Sequence, residues 1–296
     1  MVKDKGTRMS QASAWRLRFA QRLAPAYATL PDVSAVLLGG SASRGWADRY
    51  SDIEIGVFWK NGPTDEQRIG IAEQAGGERI RADSYNPEQQ VWLEEYVVDG
   101  VSIDLVHRTV ETTEQLIADV LMRYDIADYK QILLAALRDA LPLSGAEVLE
   151  RWQAQINPYP DGLMLAMLDA HLRFNPWWYV ETFAQRNDFV LVYQALSTAS
   201  QRLFYALLAL NKCYYPGIKW LSKHVEQLAI APPAFAARLQ RCFDGEMRQG
   251  VEDMRLLVEE TFTLAAIYAP SIDWSGRQER FRSLRTPVDG PPHSLL

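Results

Sequence analysis

Three acidic residues are the groups in this sequence whose spacing could do chemistry. Asp52 and Glu54 stand in Asp52-Ile53-Glu54-Ile55-Gly56-Val57-Phe58, where a period of two puts both carboxylates on one face of a strand and Ile53 and Ile55 on the other. Two like charges about 4 Å apart repel by about 4 kcal/mol at an effective dielectric of about 20, so the pair is costly unless a cation lies between them. Oxygen-only ligands suit a hard cation such as Mg²⁺, which keeps waters and shares its shell with substrate phosphates. Asp104, flanked by Ile103 and Leu105, puts a third carboxylate on the polar side of another apolar run. If the two strands are neighbours, the three acids form a cluster able to hold metal and deprotonate a hydroxyl.

A second group of residues is suited to an anion. Val33 to Leu38 is a short apolar run ended by Gly39-Gly40, the pattern of a buried strand entering a tight turn. Glycines there let the backbone come close to a bulky ligand. Ser41 then stands where a helix would begin, so its hydroxyl and the next backbone N–H groups could face a phosphate, with Arg44 within one turn. A solvated helix-surface arginine is an equal reading of Arg44.

The elements that must position these groups follow from the pattern around them. An alanine-rich amphipathic helix over 10–30, broken near Pro25, leads into the strand 33–38. A helix over 64–75 and a strand over 79–85 come next. Val91 to Val98 and Val101 to Val106 flank Asp99-Gly100, a strong signal for a two-residue hairpin turn. After Arg108 the chain turns helical, over 113–124, 130–141, 144–156 and 162–174, with prolines at 142, 158, 160 and 176 between segments. Further helices are expected at 177–187, 188–211, 219–229, 233–243 and 244–268. Pro287, Pro291 and Pro292 mark a tail with little core of its own.

Taken together, the Gly39-Gly40-Ser41 turn, its spacing to Asp52-x-Glu54 and the strand acid Asp104 resemble the DNA polymerase β-type nucleotidyltransferase superfamily. Within it, Tyr50-Ser51-Asp52-Ile53-Glu54 is similar to the kanamycin and lincosamide nucleotidyltransferase group. The matching motifs lie between residues 33 and 107. The resemblance implies an α+β fold: a nucleotidyltransferase domain over 1–110 with a mixed sheet flanked by helices, an all-α helical-bundle domain over 111–275 that binds the acceptor, and a tail over 276–296. It implies that Gly39, Gly40, Ser41 and Arg44 contact the triphosphate of ATP or another nucleoside triphosphate, and that Asp52, Glu54 and Asp104 hold two Mg²⁺ ions. Asp104 would be a third metal ligand or the general base, a role that a carboxylate of the helical half fills in some relatives. Lys212 or Lys219 would neutralise charge on the leaving pyrophosphate.

The expected reaction is transfer of a nucleoside monophosphate, most readily AMP from ATP, to a hydroxyl of a small molecule such as an aminoglycoside-like antibiotic. An enzyme of antibiotic resistance is the corresponding role. Two other readings fit the same motifs: an enzyme that adenylylates a protein, and a nucleotide sensor that binds ATP without chemistry.

Composition narrows the partners. The net charge of −6 and the lack of a basic cluster outside Arg277 to Arg285 argue against a nucleic-acid template. An acidic surface attracts cationic acceptors. With 48% hydrophobic residues and no apolar run near the roughly 18 residues of a membrane span, the chain reads as soluble, and without a signal-like amino terminus as cytoplasmic. Cys213 and Cys242 lack metal spacing and read as reduced core thiols, and His107, His171, His224 and His293 are scattered. In the helical half, Pro176-Trp177-Trp178-Tyr179 could stack a base or acceptor but reads more simply as interface filling, and Glu181 and Asp188 as solvated helix acids.

Overall fold

The computed structural model describes residues 9–74 and 76–290, which divide into two compact units, one ending at Tyr159 and the other beginning at Pro160. The fold class is α+β, a mixed sheet with flanking helices followed by a helical region. No helix among the described residues is long and apolar enough to cross a membrane.

The first unit runs α1 (Gln11–Ala28), β1 (Val33–Leu38), α2 (Gly40–Ser43), β2 (Ile53–Trp59), α3 (Asp65–Gln74), β3 (Glu78–Ala82), β4 (Trp92–Val98) and β5 (Val101–Thr109). It continues through α4 (Val110–Arg123), α5 (Asp128–Asp139), β6 (Leu141–Ser144) and α6 (Ala146–Ile156). The strands form one sheet in the order β3-β4-β5-β2-β1-β6. β2 and β5 are parallel, and the other neighbours are antiparallel.

Alternation along the strands divides the sheet into two faces. Val36, Leu38, Ile53, Ile55, Val57, Ile103 and Leu105 point to one side and pack with Ala20, Leu23, Ala24 and Tyr27 of α1. Each fully buried aliphatic side chain there stabilises the fold by about 1.5–3 kcal/mol. Ser10 starts α1 by accepting the Ser13 N–H at 3.0 Å, and Thr109 starts α4 by accepting the Thr112 N–H at 3.0 Å. On the opposite face, Phe58 meets Trp152 of α6 edge to face, with centroids 4.9 Å apart.

Several elements differ from what the sequence suggests. α1 is not broken at Pro25: it runs on to Ala28, because Pro25 lies in the last turn on the exposed side, where the carbonyl it leaves unbonded can face water. β6 replaces an expected helix junction. It pairs with β1 at the sheet edge, where Pro142 removes no interior ladder bond. Through β6, α4–α6 join the first unit, so the change from strands to helices after Arg108 is not where the compact unit ends. Gly145 follows β6 with φ +67°, and a Cβ there would fall 2.2 Å from the Ser34 carbonyl oxygen, so the approach of this turn to β1 requires glycine.

The second unit holds α7 (Asp161–His171), α8 (Trp178–Gln185), α9 (Phe189–Leu210), α10 (Leu221–Glu226), α11 (Phe235–Asp244), α12 (Met247–Tyr268) and α13 (Ser275–Arg282). α9 is its centre: Leu203 to Leu210 are all buried, and the helix packs against α7, α8 and α12. A helix apolar all round is a core helix. The expected tail begins as α13 instead, because Phe281 is an anchor buried among Phe174, Trp177 and Phe262. Pro291, Pro292 and His293 lie outside the described residues.

Candidate functional site

The glycine turn is built around one acid. Past the end of β1, the Gly39 N–H bonds the Glu54 carbonyl at 2.9 Å and so extends the β1–β2 pairing by one rung. Gly40 follows with φ +65°, and a Cβ on it would lie 2.5 Å from Cδ of Glu54. The Glu54 carboxylate thus packs directly against the bare Gly40 backbone, which an alanine would push away. α2 begins at Gly40, one residue before the expected start, and is a single turn. Ser41 is buried at 8% exposure, and its carbonyl accepts the Trp46 and Ala47 N–H groups at 2.9 and 3.1 Å.

The strand register assembles the acids. Glu54 of β2 is the direct partner of Asp104 on parallel β5, and Asp104 is in turn the partner of Glu95 on antiparallel β4. Lateral neighbours in a sheet share a face, so Glu54, Asp104 and Glu95 form a row across three strands, all half-buried. At a strand spacing of about 5 Å each adjacent pair repels by about 3 kcal/mol at an effective dielectric of about 20. Asp52 stands just before β2 and lines a cleft of about 560 Å³ together with Asp104, Glu95, Trp15 and Tyr50. Among the described residues no three acidic, histidine or cysteine side chains converge closely enough to enclose a metal ion. The adjacency of the two acid-bearing strands matches the expectation; a closed three-carboxylate cage is not formed.

The loop leading to Asp52 is braced from below. Arg16 of α1, 3% exposed, donates to the Ser51 carbonyl from Nε and Nη2 at 2.9 and 2.5 Å. Asp48 accepts the Tyr50 N–H and the Ser51 hydroxyl, at 2.9 and 3.0 Å, and these bonds, the Tyr50 N–H foremost, hold its carboxyl below the usual range. Ser10 and Ser13 bond Ala47 on the same side.

Glu95 is the acid that motif reading missed. Its signal was nevertheless present: a two-residue turn at Asp99-Gly100, with φ +52° and +76°, pairs Val98 with Val101 and so sets Glu95 opposite Asp104.

The cations named from sequence have other engagements. Nε of Arg44 bonds Asp139 at 2.9 Å, tying α2 to α5. Burial raises the Asp139 carboxyl, but Arg138 and Arg44 together hold it below its ordinary value. Lys212 pairs with Asp161, and Lys219 lies exposed before α10; both are in the second unit. Trp177 is core, with Nε1 donating to the Val251 carbonyl at 3.2 Å. Asp188 caps α9. Cys242 is a buried thiol that desolvation pushes up to about 11, so it stays protonated.

The other face of the same strands carries charge of a different kind. Arg68 of α3 donates to Glu94 Oε1 at 2.8 Å, to the Asp83 carbonyl at 2.9 Å and to Asp65 at 2.7 Å. The Tyr96 hydroxyl donates to Glu94 Oε2 at 2.7 Å. His107 is fully buried, and its Nδ1 accepts from Trp59 Nε1 at 3.1 Å.

Comparison with known proteins adds two findings. Residues 127–221 match a family described only as a domain of unknown function, DUF4037. A solved structure of a nucleotidyltransferase-like protein from Exiguobacterium sibiricum 255-15 is similar at 11% identity, over 87% of this chain and 81% of that one, with a TM-score of 0.40. No curated protein matches the chain.

Proposed function

We propose that Asp52, Glu54 and Asp104, with the Gly39-Gly40-Ser41 turn, form the site of a Mg²⁺-dependent nucleotidyltransferase that transfers AMP from ATP to a hydroxyl of a small molecule and releases pyrophosphate. The Glu54 carboxylate packed against Gly40, with Asp104 as its register partner, carries the proposal. A backbone turn that can approach a polyphosphate and carboxylates that can hold its counter-cation are thereby side by side.

The donor set fits the ion. Asp52, Glu54 and Asp104 offer only hard oxygen ligands, the donor type of Mg²⁺, which is usually held by one or two carboxylates plus phosphate oxygens and water. Held there, Mg²⁺ would neutralise phosphate charge and polarise the phosphorus centre.

The chain's own groups do the rest. Gly39, Gly40 and Ser41 present backbone to the triphosphate. The acceptor hydroxyl gives its proton to a carboxylate of the row, Asp104 or Glu95, as its oxygen bonds the α-phosphorus and the bond to the β-phosphate oxygen breaks. The cleft wall is mixed in charge: Arg16 and Arg49 stack over Trp15 and Tyr50, 4.1 and 4.6 Å from the ring centroids, beside Asp52, Glu95 and Asp104, and an aminoglycoside-like acceptor rests on the resemblance of the motifs. Such chemistry draws on intracellular ATP, which accords with a cytoplasmic enzyme.

The test is release of pyrophosphate from ATP and Mg²⁺ over a panel of aminoglycosides and lincosamides, with Asp52→Ala beside the wild type. Turnover is expected in the wild type and lost in a folded D52A protein. A folded D52A variant with wild-type transfer would sink the assignment. Label appearing on protein, with none on any small acceptor, would move the acceptor to a polypeptide.

A further inference from the structure

The buried face of the sheet holds two polar atoms that its protein neighbours do not satisfy. The Tyr27 hydroxyl and Nε2 of His107 both lie in the interior with no hydrogen-bond partner among the described groups. Because Trp59 Nε1 can only donate, Nδ1 of His107 must accept, and a neutral imidazole then carries its proton on Nε2. Burial, with Arg68 nearby, pushes the imidazole down to about 3, so it is neutral in ordinary buffer. Nε2 is 3.5 Å from Glu94 Oε1, too far for a good hydrogen bond, and between neutral imidazole and carboxylate there is no ion pair.

Tyr27 and His107 belong together. Their ring centroids are 6.1 Å apart, and His107 Nε2 in turn lies 3.5 Å from Glu94 Oε1. Glu94 already accepts Arg68 on Oε1 and Tyr96 on Oε2, yet a carboxylate has about four acceptor sites and capacity remains. Two unsatisfied donors and an acceptor with spare lone pairs thus lie in one buried region. Unsatisfied buried polar atoms are few in native proteins, and a buried water that makes two to four bonds is the usual way to satisfy them.

We infer that a water molecule is bound inside the first unit, bridging the Tyr27 hydroxyl, Nε2 of His107 and the Glu94 carboxylate. It joins α1 to β4 and β5, and through the Trp59–His107 bond to β2. These are the three strands whose opposite face carries Glu95, Asp104 and Glu54. The site is an internal joint of the scaffold and stands whether or not the proposed transfer reaction is correct.

A crystal structure of the wild-type protein at about 1.5 Å tests this directly. Density for one water bonded by Tyr27, His107 and Glu94 is expected. Tyr27 and His107 hydrogen-bonded to protein groups instead, with no water between them, would overturn it. Tyr27→Phe gives a second measurement whose sign decides. If the hydroxyl is water-bonded its removal lowers Tm by about 2–4 °C, whereas removal of an orphan hydroxyl raises Tm. A raised Tm therefore counts against the bound water.

Discussion

Glu94 and Glu95 are neighbours in sequence and opposites in use, because consecutive residues of β4 face opposite sides of the sheet. Glu94 is 1% exposed and accepts Arg68 and Tyr96, one on each carboxylate oxygen. Glu95 is half-buried beside a cleft, between the register partners Asp104 of β5, of the same sign, and Arg81 of β3, of the opposite sign. A buried charge is tolerated when every lone pair and proton is met, and the arrangement then fixes structure. On the proposed function, the carboxylates beside the cleft meet a cation brought by the ligand, whereas Glu94 is met by Arg68 and Tyr96, and the sheet then separates a scaffold face from a chemical face.

That contrast is open to attack from both sides. The largest effect is expected from Asp104→Asn, which should reduce transfer by about 10²–10⁴-fold. Because asparagine keeps the size and a hydrogen-bonding oxygen of the aspartate, the variant's Tm should stay close to that of the wild type. A thermal melt beside a pyrophosphate assay checks both, and a lower Tm would assign Asp104 to the scaffold.

Arg68→Met should do the reverse. It leaves Glu94 buried without its cation and should cost about 3–5 kcal/mol in denaturant unfolding, as breaking a buried pair does. Little change in stability would mean that the lower face is not the self-neutralised network described above.

His107 gives a signature that appears only as pH falls. Its folded pKa is depressed to about 3 by burial, with Arg68 nearby, while an unfolded imidazole titrates near 6.5. The unfolded chain therefore binds a proton that the folded chain refuses. His107 imposes no such penalty above about pH 6.5; as pH falls from there to about 3, stability drops by about 1.4 kcal/mol per unit. His107→Gln should flatten the slope of stability against pH across that window, measured by urea unfolding. A slope equal to the wild type's would show that His107 is not held neutral.

Gly40→Ala is the mildest of the four. Left-handed backbone in a residue with a Cβ costs about 1–2 kcal/mol, and the methyl would displace a flexible carboxylate rather than backbone. A modest Tm loss with a larger loss of transfer is expected, since Glu54 moves while the core does not.

Much of the fold was legible because the signals were local. The β4–β5 hairpin follows from Asp99-Gly100, and the acid-bearing strands from alternation around Ile53, Ile55, Ile103 and Leu105. β6 was not legible: four residues with a proline carry no period, and only pairing with β1 makes them a strand. α13 was hidden in a polar, arginine-rich stretch whose single anchor, Phe281, gains meaning only from the aromatics it meets. Neither reading of Arg44, phosphate contact or solvated helix surface, includes its pairing with Asp139, because that partner is distant in sequence.

The sequence by itself determined the alternation of each strand, the glycine turn beside Asp-x-Glu and the hairpin register that sets Glu95 against Asp104. These depend on a backbone period of two and on turn residues, both local properties. Only the tertiary structure decided that β2 and β5 lie side by side, which makes partners of Glu54 and Asp104. It also decided which glutamate of the Glu94-Glu95 pair is buried against Arg68 and which lies beside the cleft. Parallel pairing joins segments about fifty residues apart, and burial is a property of what packs on each face, so neither can be read from a strand alone.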